Sequence, residues 1–201
     1  MGQVYSARFA LRPGDGRGAV AYLARQPSFQ QMPRFLVQET AVHFIDTFRW
    51  LFGPVTSVYA DLRRLNPAIR GEDAGTVLLS HDTGAQSQFD GNRLSDHVAD
   101  NPRMTMGEMR IEGEGGALSL DGFGKLWFRP FGSRSDQPLL IRAPVDSTQF
   151  GGGCVDALNQ HVVVAISLNN TPENTARDYL EVIRVCEAAY LSHQEGRRIT
   201  L

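Results

Sequence analysis

The stretch MPRFLVQETAVHFIDTFRWLFG, Met32 to Gly53, decides how the rest of the chain is read. Ala41, Phe44, Ile45, Phe48, Leu51 and Phe52 recur at the steps of one buried helical stripe. Glu39, His43, Asp46 and Trp50 follow the same steps on another face. Pro33 and the Gln38-Glu39 pair suit a helix entrance, and Gly53-Pro54 stops it, so a helix is expected over 38–52. A helix with an apolar face and a carboxylate–imidazole–carboxylate face can line a pocket.

The 201 residues suffice for one large domain or two small ones with a sizeable core. With 42% hydrophobic and 21% charged residues the composition is that of a globular protein. A formal net charge of −2 gives no general attraction to nucleic acid or anionic lipid. No apolar run reaches the roughly 20 residues that span a bilayer, and MGQVYSARFA lacks the apolar core of a signal peptide, so a cytoplasmic location is expected. Cys154 and Cys186 form no metal-type spacing and read as buried thiols. Of the 20 cationic side chains only Lys125 is lysine. A lysine acid or base must therefore be Lys125 or come from another polypeptide, because arginine stays charged.

Along the chain, Val4, Tyr5, Ala7 and Phe9 mark a short strand ending at Leu11-Arg12. The loop RPGDGRGA has no GxGxxG and no GK[ST], so it reads as a turn rather than a phosphate cradle. Val55 to Leu65, Thr76 to Ser80, Ala85 to Phe89, Thr105 to Glu112, Ala117 to Leu120 and Lys125 to Phe128 give about six strands over 55–130. Asp82-Thr83-Gly84 is a hairpin turn; no second DTG or DSG exists to make an aspartic dyad. Asp90 to Pro102 is read as a polar loop, either solvated or touching a polyol or carboxylate through Asp90, Asn92, Arg93, Asp96 and His97. Gly132 to Phe150 reads as a long excursion. Helices are expected over 153–168, with Val155, Leu158, Val162, Val163 and Ile166, and over 175–194, with Thr171 and Asn174 as caps. The second helix carries a stripe of Tyr179, Leu180, Ile183, Val185, Ala188 and Leu191 and ends at Gly196, before a short strand or tail.

Short turns force antiparallel pairing. A strand, a helix, a run of strands and two helices make a single α+β domain over 1–201: a broad, mainly antiparallel, open-faced sheet with helices on one face. The other face, expected to carry Met106, Met109 and Leu126, must be polar or meet a partner; a homodimer through it is expected, with a higher oligomer open.

Glu39 and His43 are four apart, with Asp46 three further on. A carboxylate one turn from an imidazole can orient it for proton transfer to or from a hydroxyl or carbonyl. The alternative is an ion pair on a solvated helix face. A metal site is not expected, since HExxH is absent and no second histidine is near. His161 reads as a core histidine, and His81, His97 and His193 as facing solvent.

The segment QETAVHFIDTFRWLFGPVTSVYA resembles the first helix and following strand of the C-terminal domain of the Gfo/Idh/MocA oxidoreductases. That family carries D-x-x-x-H-x-x-D before a W-L-x-G ending; here Glu39, His43 and Asp46 precede Trp50-Leu51-Phe52-Gly53. EDAG at Glu72 to Gly75, GEGGALSLDG at Gly113 to Gly122 and the ending EGRRITL at Glu195 to Leu201 fit in order and spacing. The resemblance covers essentially the whole chain and implies the open-faced C-terminal fold shared with glyceraldehyde-3-phosphate dehydrogenase. It also implies an N-terminal Rossmann domain that holds NAD or NADP and a lysine of an E-K-P motif. That lysine would work with His43 in hydride transfer to or from a sugar or polyol. Glu39 keeps the charge of the family aspartate on a longer arm.

Neither GxGxxG nor E-K-P occurs, so the nucleotide half is expected to lie on a separate Rossmann domain, and this chain is expected to bind no cofactor and to be inactive alone. The expected function is the substrate-binding and oligomerising half of an NAD(P)-dependent sugar or polyol oxidoreductase. His43, Glu39 and Asp46 are its catalytic candidates; Arg34, Tyr22, Asn92 and Arg93 are substrate candidates by loop position. A stand-alone dimeric interaction or carbohydrate-binding module is the alternative, and a metal-assisted lyase or isomerase a third.

Overall fold

Alternation of apolar residues builds the first strand, β1 (Val4–Leu11), whose Ala7, Phe9 and Leu11 are buried. The computed structural model describes residues 1–139, 153–173 and 175–201. A 3-10 turn (Pro27–Gln31) and a π-helical turn (Leu36–Ala41) lead into α1 (Val42–Phe52). Then come β2 (Val55–Arg63), β3 (Ala74–His81), β4 (Gln86–Asn92), the short α2 (Pro102–Thr105), β5 (Gly107–Gly113), β6 (Gly116–Leu120), β7 (Leu126–Pro130) and β8 (Gln137–Leu139). α3 (Cys154–Ser167), α4 (Ala176–Glu195) and β9 (Ile199–Thr200) complete the order.

The strands form one nine-stranded sheet in the order β8-β7-β6-β5-β1-β4-β3-β2-β9. The fold class is the expected one: α+β, open-faced and mainly antiparallel. The exception is β1, which pairs parallel with β4 and antiparallel with β5, so the first strand lies in the middle of the sheet.

α1 and α4 cover one face. Ile45, Phe48 and Phe52 of α1 and Val182, Val185 and Ala189 of α4 pack on Phe9, Val58, Val77 and Phe89. Gly53, at φ 88°, ends α1, and Gly196, at φ 65°, ends α4. The N-cap of α4 is Thr175, whose Oγ1 accepts from the Asp178 N–H at 3.2 Å, not Thr171; Asn174 lies outside the described residues. The buried stripe of α4 is Val182, Val185, Cys186, Ala188, Ala189 and Ser192, while Tyr179, Leu180 and Leu191 are exposed. Ser192 Oγ and His193 Nδ1 accept from the Ala60 and Leu62 N–H groups at 3.0 and 3.1 Å, so α4 closes the edge of β2 beyond β9.

Four expectations change. In α3 only Ala165 is buried, so this helix does not cover the sheet as α1 and α4 do; Val155, Leu158, Val163 and Ile166 are exposed. His161 is exposed rather than in a core, its Nε2 accepting from the Glu173 N–H at 2.9 Å. His81 is buried, contacting the Gly53 carbonyl at 2.9 Å and Ser87 Oγ at 2.8 Å. Cys154 is exposed, and only Cys186 is a buried thiol; burial pushes its pKa up to about 12. The excursion from Gly132 includes β8, and its part over 140–150 lies outside the described residues.

The open face does not carry Met106, Met109 and Leu126, a further correction. Register carries Tyr59, Leu78, Gln88, Arg8, Arg110, Ser119 and Trp127 across it in one row. Met109 lies opposite Phe9 and Leu120, and Leu120 opposite Leu126, so these residues share the helix-covered face; Met106 also packs on that core. On the open face Asp90 pairs with Arg8 and, at 2.8 Å, with Arg12. Burial opposes its charge, but these two guanidinium groups outweigh it and hold the Asp90 carboxyl below its usual range.

Candidate active site

The π-helical turn before α1 is held by two side chains from segments distant in sequence, one just before β3 and one just after β4. The Val42 N–H reaches back to the Val37 carbonyl, a five-residue step. Glu72 Oε1 accepts from the Val37 N–H at 3.1 Å and from the Tyr190 hydroxyl at 2.6 Å, while the Glu72 carbonyl accepts from the Leu36 N–H at 3.0 Å. From the other side Arg93 Nη1 donates to Glu39 Oε2 at 2.8 Å and to Thr40 Oγ1 at 2.6 Å. The helical entrance thus begins at Leu36, ahead of the expected 38.

Arg93 is 1% exposed, so the polar-loop reading fails at this residue. Asp90 and Asn92 belong to β4, and the alternation of Ser87, Phe89 and Gly91 carries Arg93 onto the core side. Asp15 pairs with its Nη2 at 3.0 Å and accepts from Nε at 3.2 Å. The rings of Phe35, Tyr22 and Phe29 stand 4.7, 5.2 and 5.7 Å from the guanidinium carbon. Burial disfavours the Arg93 charge, but the Asp15 hydrogen bonds and the surrounding negative charge more than offset it, and its pKa is raised. Burial pushes the Tyr22 phenol upward as well. Its hydroxyl donates to Asp15 Oδ1 at 3.1 Å.

The Gly-rich loop wraps the same arginine. The Gly14 and Gly16 N–H groups donate to the Ser95 and Arg93 carbonyls at 2.9 Å, so these donors are spent inside the protein rather than offered to a phosphate.

The structure therefore separates the seven candidates. Glu39, Arg93 and Tyr22 meet in this internal cluster. Asn92 Oδ1 accepts from the Leu94 N–H at 3.0 Å and shapes a turn. Arg34 lies elsewhere, 2.6 Å from Glu187 and stacked 4.3 Å over the Tyr190 ring. His43 and Asp46 remain on the outer face of α1. Asp46 sits 3.8 Å from Arg49. The His43 ring has no hydrogen-bond or ion-pair partner among the described residues, and His43 is exposed. Trp50, two turns on, is 77% exposed. Among the described residues no group of three His, Cys, Asp or Glu side chains could hold a metal ion.

The fold of this sheet and its helices is shared by known proteins. Residues 7–119 match the GFO/IDH/MocA C-terminal domain. The chain belongs to this family. Its sequence is 31% identical over 189 residues to a D-apiose dehydrogenase of Paraburkholderia graminis, covering 92% of this chain and 50% of that protein. A D-apiose dehydrogenase of Rhizobium rhizogenes is 28% identical over 207 residues, covering 100% of this chain and 57% of that protein. The chain spans about half the length of the relatives it matches.

Among solved structures, an oxidoreductase from Agrobacterium radiobacter in complex with NAD+, L-tartaric acid and magnesium matches with TM-score 0.81 and 26% identity, over 99% of this chain and 57% of that one. The WlbA dehydrogenase from Bordetella pertussis, in complex with NADH and UDP-GlcNAcA, shares the fold with TM-score 0.70 and 22% identity, over 100% of this chain and 55% of that one.

Sequence reading missed Asp15, Thr40 and Glu72 as the groups that hold the helix entrance. A signal existed for Arg93, since extending the strand alternation past Phe89 places it inward.

Proposed function

We propose that this chain is the substrate-binding and oligomerising half of an NAD(P)-dependent oxidoreductase acting on a sugar, polyol or related hydroxy compound. The observation that carries this reading is the placement of His43: an imidazole with no protein partner among the described residues, on the bare face of a helix whose other face is packed. Such a group can take the proton of a substrate hydroxyl during oxidation, or return it during reduction. A nicotinamide held by a separate nucleotide-binding domain would accept or supply the hydride. Trp50 on the same face offers an apolar wall to a sugar ring, and Asp46 a hydrogen-bond acceptor. The dehydrogenase relatives make D-apiose the first sugar to test.

In this reading Glu39 is a positioning residue. Its carboxylate fixes the entrance of α1 through Arg93 rather than binding His43. The open face of the sheet carries Arg8, Arg12 and Arg110 among Asp90, Glu108 and Glu112, a mixed-charge surface suited to a second copy.

The test supplies a GFO/IDH/MocA nucleotide-binding domain, fused or in trans, and follows NADH formation with D-apiose. Turnover that disappears in His43→Asn supports the proposal. Equal turnover in that variant removes His43 from its role. Calorimetry on the chain alone is expected to give no NAD(H) binding in the micromolar range. Sedimentation is expected to show a dimer that Leu78→Asp dissociates; a monomer at high concentration would overturn the oligomer.

A further inference from the structure

A cavity of about 480 Å³ opens between the end of β2, the entrance of the π-helical turn and the last turns of α4. It has the volume of a small-molecule site, and α1 contributes none of its lining residues. Arg34, Arg63, Arg64 and Arg70 line it, over a wall that includes Leu62 and Tyr190. The side chains of Arg63, Arg64 and Arg70 make no hydrogen bond or ion pair among the described residues. This differs from Arg8, Arg12, Arg93 and Arg110, each of which has a carboxylate partner.

The one lining carboxylate, Glu72, is already used: its Oε1 accepts from the Val37 N–H and the Tyr190 hydroxyl. His193 Nδ1 accepts from the Leu62 N–H, so in the neutral ring Nε2 carries the proton and is a donor. The backbone is fitted to bring the arginines together. A Cβ at Gly71 would lie 2.7 Å from the Met32 carbonyl oxygen, and the Arg70 N–H donates to the Gln30 carbonyl at 2.9 Å. Glycine at 71 thus lets the Arg70 segment close against the segment that carries Arg34. Arg34 is itself held by Glu187 and by the Tyr190 ring.

We propose that this cavity is a binding site for a phosphate group, free or carried by a small molecule. Three guanidinium groups without carboxylate partners present more forks than a monocarboxylate can fill. A phosphate monoester offers three acceptor oxygens and a charge of about −1.5 to −2, and arginine forks match that geometry. In a chain of net charge −2, such a concentration of positive charge around one concavity draws a small anion by focusing the local field.

The experiment is a titration of the whole chain, followed by 1H–15N NMR at constant ionic strength set with chloride. The probes are inorganic phosphate, glycerol 3-phosphate and acetate. Saturating shifts centred on Arg63, Arg64, Arg70 and Gly71 are expected with both phosphate probes. Tighter binding of glycerol 3-phosphate identifies an ester as the ligand, and equal binding identifies free phosphate. The double variant Arg63→Ser, Arg70→Ser is expected to weaken binding at least tenfold with an unchanged melting temperature, because both side chains are exposed. Shifts that do not saturate, equal affinity in the double variant, or acetate binding as tightly as phosphate would each overturn the site. These readouts involve no hydride transfer, so they stand or fall independently of His43.

Discussion

Arg93 Nη1 lies 2.8 Å from Glu39 Oε2. One fully buried cation thereby joins the end of β4 to the turn that launches α1, and with Asp15 on its other side it closes the Gly-rich loop over both. Glu39, four residues before His43, is committed to this contact. The carboxylate that spacing assigns to the imidazole serves the helix entrance instead.

Replacing Arg93 by Met keeps the volume and removes the charge. Asp15 and Glu39 would then face each other across an apolar cluster. Breaking a buried pair typically costs 3–5 kcal/mol, and because both carboxylates are about 30% exposed the expected loss is near the lower end, about 3 kcal/mol. Urea denaturation checks this as a lower midpoint; a loss under about 1 kcal/mol, the range of a surface pair, would mean that the cluster is not a structural lock.

His43→Asn should separate stability from activity. The side chain is exposed and has no partner among the described residues, so the unfolding free energy should change by less than about 0.5 kcal/mol. Hydride transfer in the two-domain enzyme should fall by about 10²- to 10⁴-fold, the usual contribution of general acid–base catalysis. Equal losses of stability and activity would mark His43 as structural.

His81 gives the fold a pH dependence of known sign. Burial lowers its pKa, offset in part by the hydrogen bond to the Gly53 carbonyl and by Asp82. Between that lowered value and the unfolded pKa of about 6.5, the unfolded chain binds more protons than the folded one. Stability therefore rises with pH through this window, is fully present above it, and is lost as pH falls. Melting temperatures taken between pH 8 and pH 5 should decline for the parent chain. The decline should be shallower in His81→Asn, and an identical slope would assign the acid sensitivity elsewhere.

α3 exposes large apolar side chains that an isolated helix would not carry without a partner. The chain should bind an apolar dye such as ANS, and Val163→Gln with Ile166→Gln should remove most of that signal without lowering the melting temperature. Val163 and Ile166 are 59% and 67% exposed. A double variant that unfolds would show that α3 belongs to the core.

The sequence by itself determined the elements that local chemistry encodes. The apolar periodicity of 42–52, the glycine stops at 53 and 196, and the alternating strands joined by tight turns each follow from contacts within a few residues. The motif order around His43 also marked the family. Tertiary structure alone decided where β1 inserts, because a parallel pairing with β4 is a contact across some 80 residues with no local signature. It also decided which face carries Met109, since register with Phe9 turns it inward. The partner of Glu39 was settled in the same way. Spacing along one helix offers His43 as a neighbour, but a guanidinium buried among three aromatic rings must find a carboxylate, and that need outweighs an exposed imidazole one turn away.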